Sequence, residues 1–323
     1  MAITRCYRSG VLIDEGFSLE RFGEHLCPED AVIWVDLHRP TLSELRTVGD
    51  HLGLHSLAVE NAATDRQRAK LNHYEHHDFL SAYALRLDEV SHELITAEIA
   101  AFITPQTLVT VRKDDQFPIE AFVDYLDQNT GLTVHGISGL LYGLLDFVVD
   151  GHFDAVQALD DQIDGLEDLL FDGPPHDNAV QRRSFELRKS LVRLRHVVLP
   201  MREVVNTLMR RGAHLVPPEM APYYQDLYDH VLRATEWTDS LRDLVATILE
   251  TNLTIQGNRL NIITKQVTSW AAIIAVPTAI TGFYGQNLPF PGFANNAGFI
   301  TSTILIAVLS FGLFLIFKRK NWL

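Results

Sequence analysis

The sequence predicts an α+β chain in which an N-terminal cytosolic α/β domain leads to a helical hairpin, followed by a long stalk helix continuous with the first of two C-terminal transmembrane helices. Three observations carry this expectation. From Gln266 to Phe317 there is no Asp, Glu, Lys or Arg, in a chain that is otherwise rich in charge. Short runs of β-branched and aromatic residues with strand composition occur in the stretch ending at Arg112. Beyond Gly139 the apolar residues recur at the three-four spacing of helices.

Residues 1–130 form the α/β domain. Ala31-Val32-Ile33-Trp34-Val35, Phe79 to Leu87, Ile95 to Ile103 and Thr107 to Arg112 have strand composition, and helical stretches near 41–62 and 117–129 lie around them. Strands and helices that alternate in this way pack as layers. Residues 131–218 form the hairpin, helical from Gly139 to Arg211 and broken at Gly173-Pro174-Pro175, which is turn chemistry.

Charge divides the hairpin into unlike arms. The first carries Asp146, Asp150, Asp154, Asp160, Asp161, Asp164, Glu167, Asp168 and Asp172 with no Lys or Arg; the second carries Arg182, Arg183, Arg188, Lys189, Arg193, Arg195, Arg202, Arg210 and Arg211 against Glu186 and Glu203. One reading is a solvated hairpin laced by weak ion pairs. The other is an acidic collar that gathers cations.

After Pro217-Pro218 and Pro222 nothing interrupts a helix from Tyr223 to Tyr284, about 93 Å at about 1.5 Å per residue. Its first part, residues 219–265, is the stalk. Leu227, Val231, Ala234, Thr238, Leu241, Val245, Ile248, Asn252 and Ile255 form a seam at the spacing of bundled helices. Thr238 and Asn252 interrupt it with polar groups, fitting either a hydrated passage or a register device.

The uncharged run is more than twice the about 20 residues that one membrane span requires. It divides into a first span at 266–284, an outer loop at 285–298 rich in Gly, Pro and Asn, and a second span at 299–317, before a basic tail at 318–323. Lys318, Arg319 and Lys320 flank the second span, Arg259 and Lys265 precede the first, and the loop has no basic residue. The positive-inside rule therefore places both termini in the cytosol, with the chain in the cytoplasmic membrane.

The spans differ. The second is apolar on every face, whereas the first bears a stripe of small or hydroxylic residues at Asn261, Thr264, Thr268, Ala271, Ala275, Thr278 and Gly282. Such a stripe either lines an ion path or lets two membrane helices pack closely. Two spans enclose no water-filled path, so conduction requires a symmetric ring of chains. Pro277 removes one backbone hydrogen bond within the first span, a loss that membrane helices tolerate.

Composition excludes other classes. With 41 acidic against 27 basic residues and a net charge of -14, the chain has no basic face for phosphates, so no nucleic-acid partner is expected. Cys6 and Cys27 are too few and too far apart for a disulfide scaffold or a thiolate zinc site. No apolar run follows a basic start, so no signal peptide is expected. Without a phosphate loop or nucleophile motif, neither an enzyme nor an organic cofactor is predicted. The competing class is a receptor or enzyme that two spans merely tether. His73, His76 and His77 have a helical spacing that suits a metal, yet a surface loop or strand end is the expected reading.

Tyr284-Gly285-Gln286-Asn287 at the end of the penultimate span, together with the tail Lys318-Arg319-Lys320-Asn321-Trp322-Leu323, resembles the CorA family of magnesium transporters, whose hallmark is Tyr-Gly-Met-Asn. The likeness extends through Pro200-Met201-Arg202-Glu203-Val204 and Tyr224-Gln225-Asp226-Leu227-Tyr228-Asp229-His230, and more weakly into residues 50–112. It implies a homopentameric channel in the lipid bilayer that passes divalent cations, with Gly285, Gln286 and Asn287 as selectivity filter, Asn261 at the inner end of the pore and Lys318, Arg319 and Lys320 as a basic ring at the inner mouth. It also implies a regulatory Mg2+ held between protomers by Asp226 and an acid of the neighbouring α/β domain. That second position falls on Asn61, following Glu60, where the family has Glu-Asp. Mg2+ is thus expected both as the transported and as the regulatory ion, entering passively. Gln286 in place of Met, and an outer loop without acids, keep Zn2+, Co2+ or Ni2+ transport, with or without proton coupling, as the alternative.

Overall fold

The computed structural model describes residues 2–19, 31–64, 68–88, 93–172, 179–211, 214–286 and 296–323. The chain divides into two compact units, Met1–Ile248 and Leu249–Leu323.

The first unit is organised by a seven-stranded sheet. Its strands are β1 (Ala2–Arg8), β2 (Val11–Glu15), β3 (Ala31–His38), β4 (Lys70–His73), β5 (Asp78–Leu87), β6 (Leu94–Ile103) and β7 (Thr107–Arg112). They lie in the order β2-β1-β3-β7-β6-β5-β4. Only β3 and β7 among these pairs run parallel, with Ile33 opposite Thr107 and His38 opposite Arg112. Ser9 and Gly10, at φ 47° and 83°, form the two-residue turn between β1 and β2. Left-handed conformations at both positions match the twist of a tight hairpin.

One face of the sheet is covered by α1 (Leu42–Leu52) and α2 (Ser56–Ala63). Thr41 starts α1 with a capping box, its backbone N–H donating to Glu44 at 2.7 Å while its hydroxyl accepts from the Glu44 N–H at 3.3 Å. Gly53, at φ 65°, ends it, because a left-handed C-terminal residue favours glycine. Leu45, Ala58, Val59 and Ala62 then bury against Ile33, Val35, Phe79, Val109 and Val111.

The other face is covered by α3 (Ile119–Gln128), the single turn α4 (Thr130–Thr133), α5 (Gly136–Asp172), α6 (Ala179–Arg211) and the first part of α7 (Ala221–Tyr284). Trp34, Leu80, Ile99 and Leu108 of the sheet share a core with Phe122, Leu141, Val148, Met201, Val205, Tyr224, Leu227 and Val231. A further apolar cluster joins α5, α6 and α7 through Val156, Leu159, Ile163, Leu187, Leu191, Leu194, Ala234, Leu241, Val245 and Ile248.

This second cluster corrects the expected role of one polar seam residue. Thr238 does not border a hydrated passage: it is 1% exposed, and its hydroxyl donates to the Ala234 carbonyl at 2.7 Å. Its neighbours in the seam are covered by the hairpin of the same chain, since α5 and α6 offer apolar surface at the matching spacing. Asn252 is also buried, and its Nδ2 has no partner among the described residues. Three strands, β1, β2 and β4, lie outside the expected set, and the stretch at 41–62 is two helices divided by Gly53. The hairpin break at Gly173-Pro174-Pro175 lies outside the described residues.

In the second unit the remainder of α7 is accompanied by α8 (Asn296–Arg319). Both helices are long and apolar enough to cross a membrane. Ile273 shares a cleft with Ala307, Val308, Ser310, Phe311 and Phe314, and the Trp270 and Phe314 rings stand 6.5 Å apart.

Candidate functional site

The side of α7 turned to α8 is marked by burial. Ser269 is 1% exposed, its hydroxyl donating to the Lys265 carbonyl at 2.8 Å. Ala272, Ile273, Val276, Pro277, Ile280 and Tyr284 are partly covered. Asn261, Thr264, Thr268, Ala271, Ala275, Thr278 and Gly282 are instead all exposed. At about 100° per residue the two sets centre on opposite sides of the helix, roughly 155° apart. The small-residue stripe is therefore not what packs α7 against α8.

Hydroxyls on and beside the stripe are partly turned back to the helix. Thr278 donates to the Ile274 carbonyl at 3.0 Å, and Thr281 to the Pro277 carbonyl at 2.8 Å. Such bonds leave the oxygen lone pairs outward, where they can accept from water. The helix continues through Pro277 and stops after Tyr284. Gly285 closes onto it, its N–H donating to the Thr281 carbonyl at 2.8 Å, followed by Gln286 onto Phe283 at 3.3 Å. A Cβ on Gly285 would meet the Thr281 oxygen at 3.0 Å, tighter than side chains normally sit. Asn287 lies outside the described residues.

At the other end of α8, Lys318 and Arg319 occupy the last turn, where cations complement the helix dipole. The Trp322 N–H donates to the Phe317 carbonyl at 3.0 Å, and its ring stacks on Phe317 at 5.7 Å. Lys318 and Lys320 lie over the Phe314 and Trp322 rings at 5.8 Å and 5.7 Å. The aromatic ledge holds the basic residues at the helix end while their charges stay exposed.

In the first unit, Asp226 sits near the start of α7 with its side chain 61% exposed and His230 Nδ1 at 3.8 Å. Glu60 is exposed on α2, while its carbonyl accepts from Thr64; Asn61 follows it and is half-buried. No group of three or more described His, Cys, Asp or Glu ligand atoms includes Asp226 or Glu60. One chain thus presents these acids outward without assembling them.

The acidic arm is distinct from a laced hairpin. No described ion pair joins its carboxylates to the basic arm: Arg195 instead meets Asp239 of α7 at 2.8 Å, and Arg182 meets Glu186 within its own arm at 3.1 Å. Asp146 accepts from the Tyr125 hydroxyl at 2.6 Å and from Tyr142 at 3.2 Å. Partial burial, followed by the Asp146 charge, holds the Asp150 carboxyl above its ordinary range. Burial and then Asp164 and Asp161 raise Asp160. Carboxylates that repel one another, with no described ion pair to Lys or Arg, attract mobile cations.

Sequence reasoning missed one cluster. His73 Nδ1, Asp78 and His214 Nε2 come together within 4.8 Å, whereas His76 is exposed and His77 is buried against the Tyr74 ring. The histidine triplet is thus a strand end and turn, with no helical face, and His214 is too distant in sequence for spacing to have signalled it.

Residues 29–319 match the family described as CorA-like Mg2+ transporter protein. The chain is 28% identical over 295 residues to the cobalt/magnesium transport protein CorA of Thermotoga maritima, covering 90% of this chain and 83% of that protein. Its fold is similar to the complete structure of the CorA magnesium transporter from Methanocaldococcus jannaschii, with a TM-score of 0.81 at 23% identity over 100% of this chain and 99% of that one. The ZntB cytoplasmic domain from Vibrio parahaemolyticus gives a TM-score of 0.61 at 14% identity, over 79% of this chain and 98% of that one.

Proposed function

The chain belongs to the CorA-like Mg2+ transporter family, a family of transporters and not of enzymes, and on that premise we propose that it forms a homopentameric channel for passive Mg2+ entry across the cytoplasmic membrane. Both termini lie in the cytosol in this reading, which the basic residues flanking the two spans support. The observation that carries the reading is the exposed stripe of small and polar residues from Asn261 to Gly282 on the side of α7 away from α8. A stripe on one chain encloses nothing; five around an axis line a conduit.

Mg2+ gives up its water reluctantly. Five Asn287 amides, set at the close approach that Gly285 permits, accept hydrogen bonds from the hydration shell of the ion and so select it without binding it tightly. Asn261, Thr264, Thr268 and Thr278 offer further weak rungs, and conduction requires several weak sites in preference to one strong one. The acidic arm concentrates cations, while Lys318, Arg319 and Lys320 ring the inner mouth. Cytosolic Mg2+ bridging Asp226 of one protomer to Glu60 or Asn61 of the next holds the ring closed, and its loss opens the path. A membrane potential supplies about 2.3 kcal/mol per charge per 100 mV, enough to drive entry.

A second reading is favoured by Gln286, which stands where the family hallmark has Met: transport of Zn2+, Co2+ or Ni2+, with or without proton coupling. Liposomes loaded with a magnesium-sensitive or a zinc-sensitive dye separate the two. Mg2+ influx through the parent and none through Asn287→Ala is the expected result. Zn2+ influx alone moves the protein to the second reading, and silence with both dyes revives the membrane-tethered receptor or enzyme.

A further inference from the structure

We propose a binding site for a borderline transition-metal cation of the Zn2+, Co2+ and Ni2+ class at His73, Asp78 and His214 in the first unit, sharing no residue with the ion pathway. The strand register creates it. β4 ends at His73 and β5 begins at Asp78, paired opposite each other across the hairpin, with the turn closed by the Tyr74 N–H donating to the His77 carbonyl at 2.9 Å. Residues directly opposite on an antiparallel pair present their side chains on one face. His214 arrives from the connection between α6 and α7.

Asp78 is the fixed member, its side chain 5% exposed. Its Oδ1 lies 2.9 Å from His73 Nδ1 and its Oδ2 lies 2.6 Å from His214 Nε2. The two imidazoles are 68% and 51% exposed, free to turn about a held carboxylate. Their ring centroids stand 5.4 Å apart, and the three candidate donor atoms all lie within 4.8 Å of one another. Ligands at about 2.0–2.1 Å from a tetrahedral zinc stand about 3.4 Å apart, so small rotations of the exposed rings complete the set. Each nitrogen now facing Asp78 turns its lone pair to the metal, with any proton it carries moving to the other ring nitrogen or to solvent.

The surroundings mix apolar and polar residues, and some of the buried polar groups are unsatisfied. The trio borders a cleft of about 580 Å³ that is also lined by Glu75, His76, His77 and Ser138. His77 is 4% exposed, yet neither of its ring nitrogens has a hydrogen-bond partner among the described residues, nor does the Ser138 hydroxyl. Buried polar atoms are ordinarily paired with protein or ordered water.

Donor chemistry sets the class of ion. Two imidazoles and one carboxylate suit zinc and its neighbours, whereas Mg2+ takes oxygen donors and keeps most of its water. Three protein ligands leave a coordination position for water. Since β4 is the edge strand of the sheet and His214 precedes α7, the bound ion would fasten the chain entering α7 to the sheet edge.

The test uses the purified full-length protein in detergent, stripped of metal, titrated with Zn2+ against a chromogenic chelator in millimolar Mg2+, and separately with Co2+ read by its visible absorption. His73→Gln and His214→Gln alter exposed side chains and leave the fold in place; Asn287→Ala controls for the filter. One Zn2+ per protomer should survive Mg2+ and the Asn287 change, and weaken at least about tenfold in each histidine variant. The strong Co2+ bands of a four-coordinate site should vanish in parallel. Absence of Zn2+ binding in the parent, affinity unchanged in both histidine variants, or binding lost only with Asn287 would each overturn the proposal.

Discussion

The Arg112 guanidinium lies 2.8 Å from the Asp36 carboxylate between neighbouring parallel strands, their side chains 8% and 0% exposed. Thr110 adds its hydroxyl to Asp36 at 2.8 Å and receives the Trp34 Nε1–H at 3.1 Å, so each buried polar group has a partner. Removing one partner of such a pair strands a charge in the core. Arg112→Met should cost about 3–5 kcal/mol, read as a lower urea midpoint of the full chain. A midpoint equal to that of the parent would show the pair to be dispensable.

The stripe on α7 and the exposed apolar surface of α8 predict different sensitivities. Thr268→Leu places bulk on the exposed stripe and should lower Mg2+ flux in liposomes on the order of tenfold, with the elution volume of the assembly unchanged. Ile304→Leu, on the exposed apolar surface of α8, should leave flux within about a factor of two. Equal effects at both positions would deny the stripe its role in conduction.

His152 makes the first unit sensitive to acid. It is fully buried, its Nε2–H donates to the Tyr83 carbonyl at 2.7 Å, and its Nδ1 has no partner among the described residues. Burial pushes its pKa down to about 4, against about 6.5 in the unfolded chain. The unfolded state therefore takes up the proton first as pH falls. The stabilisation from neutral His152 is complete above about pH 6.5 and declines to about pH 4, by about 3 kcal/mol in all. Denaturation at a series of pH values should show the parent losing that much more than His152→Leu across this window; parallel curves would count against a buried neutral ring.

Two glycines of α5 separate close approach from open space. A Cβ on Gly139 would run into the Leu132 carbonyl, whereas one on Gly165 meets nothing within 4 Å. Gly139→Ala must displace the α4 turn and should destabilise by about 1–3 kcal/mol. Gly165→Ala should instead stabilise by about 0.5–1 kcal/mol, through helix propensity alone. Thermal unfolding of the two variants beside the parent reads both signs.

What the sequence shows of this fold depends on whether a pattern is local. Strands β5, β6 and β7 are legible because nearly all their residues are apolar or small and buried. β1 is not, since Thr4, Arg5 and Arg8 leave it no continuous apolar run, and Arg5 is buried. That interior is workable because Asp127, far along the chain, meets Arg5 at 2.7 Å. The seam of α7 was visible as a period, but its partner was not: period alone does not distinguish another protomer from the hairpin of the same chain.

By itself, the sequence determined that two segments are long and apolar enough to span a membrane, that basic residues precede the first and follow the second, and that a Gly-Gln-Asn triplet follows the first. These are statements about charge and hydropathy along the chain, which hydrocarbon judges residue by residue. Tertiary structure decided which side of α7 meets α8, leaving the stripe from Asn261 to Gly282 exposed, and it brought His214 to His73 and Asp78. Both outcomes turn on which surfaces pack together, a relation among residues distant in sequence that no spacing records.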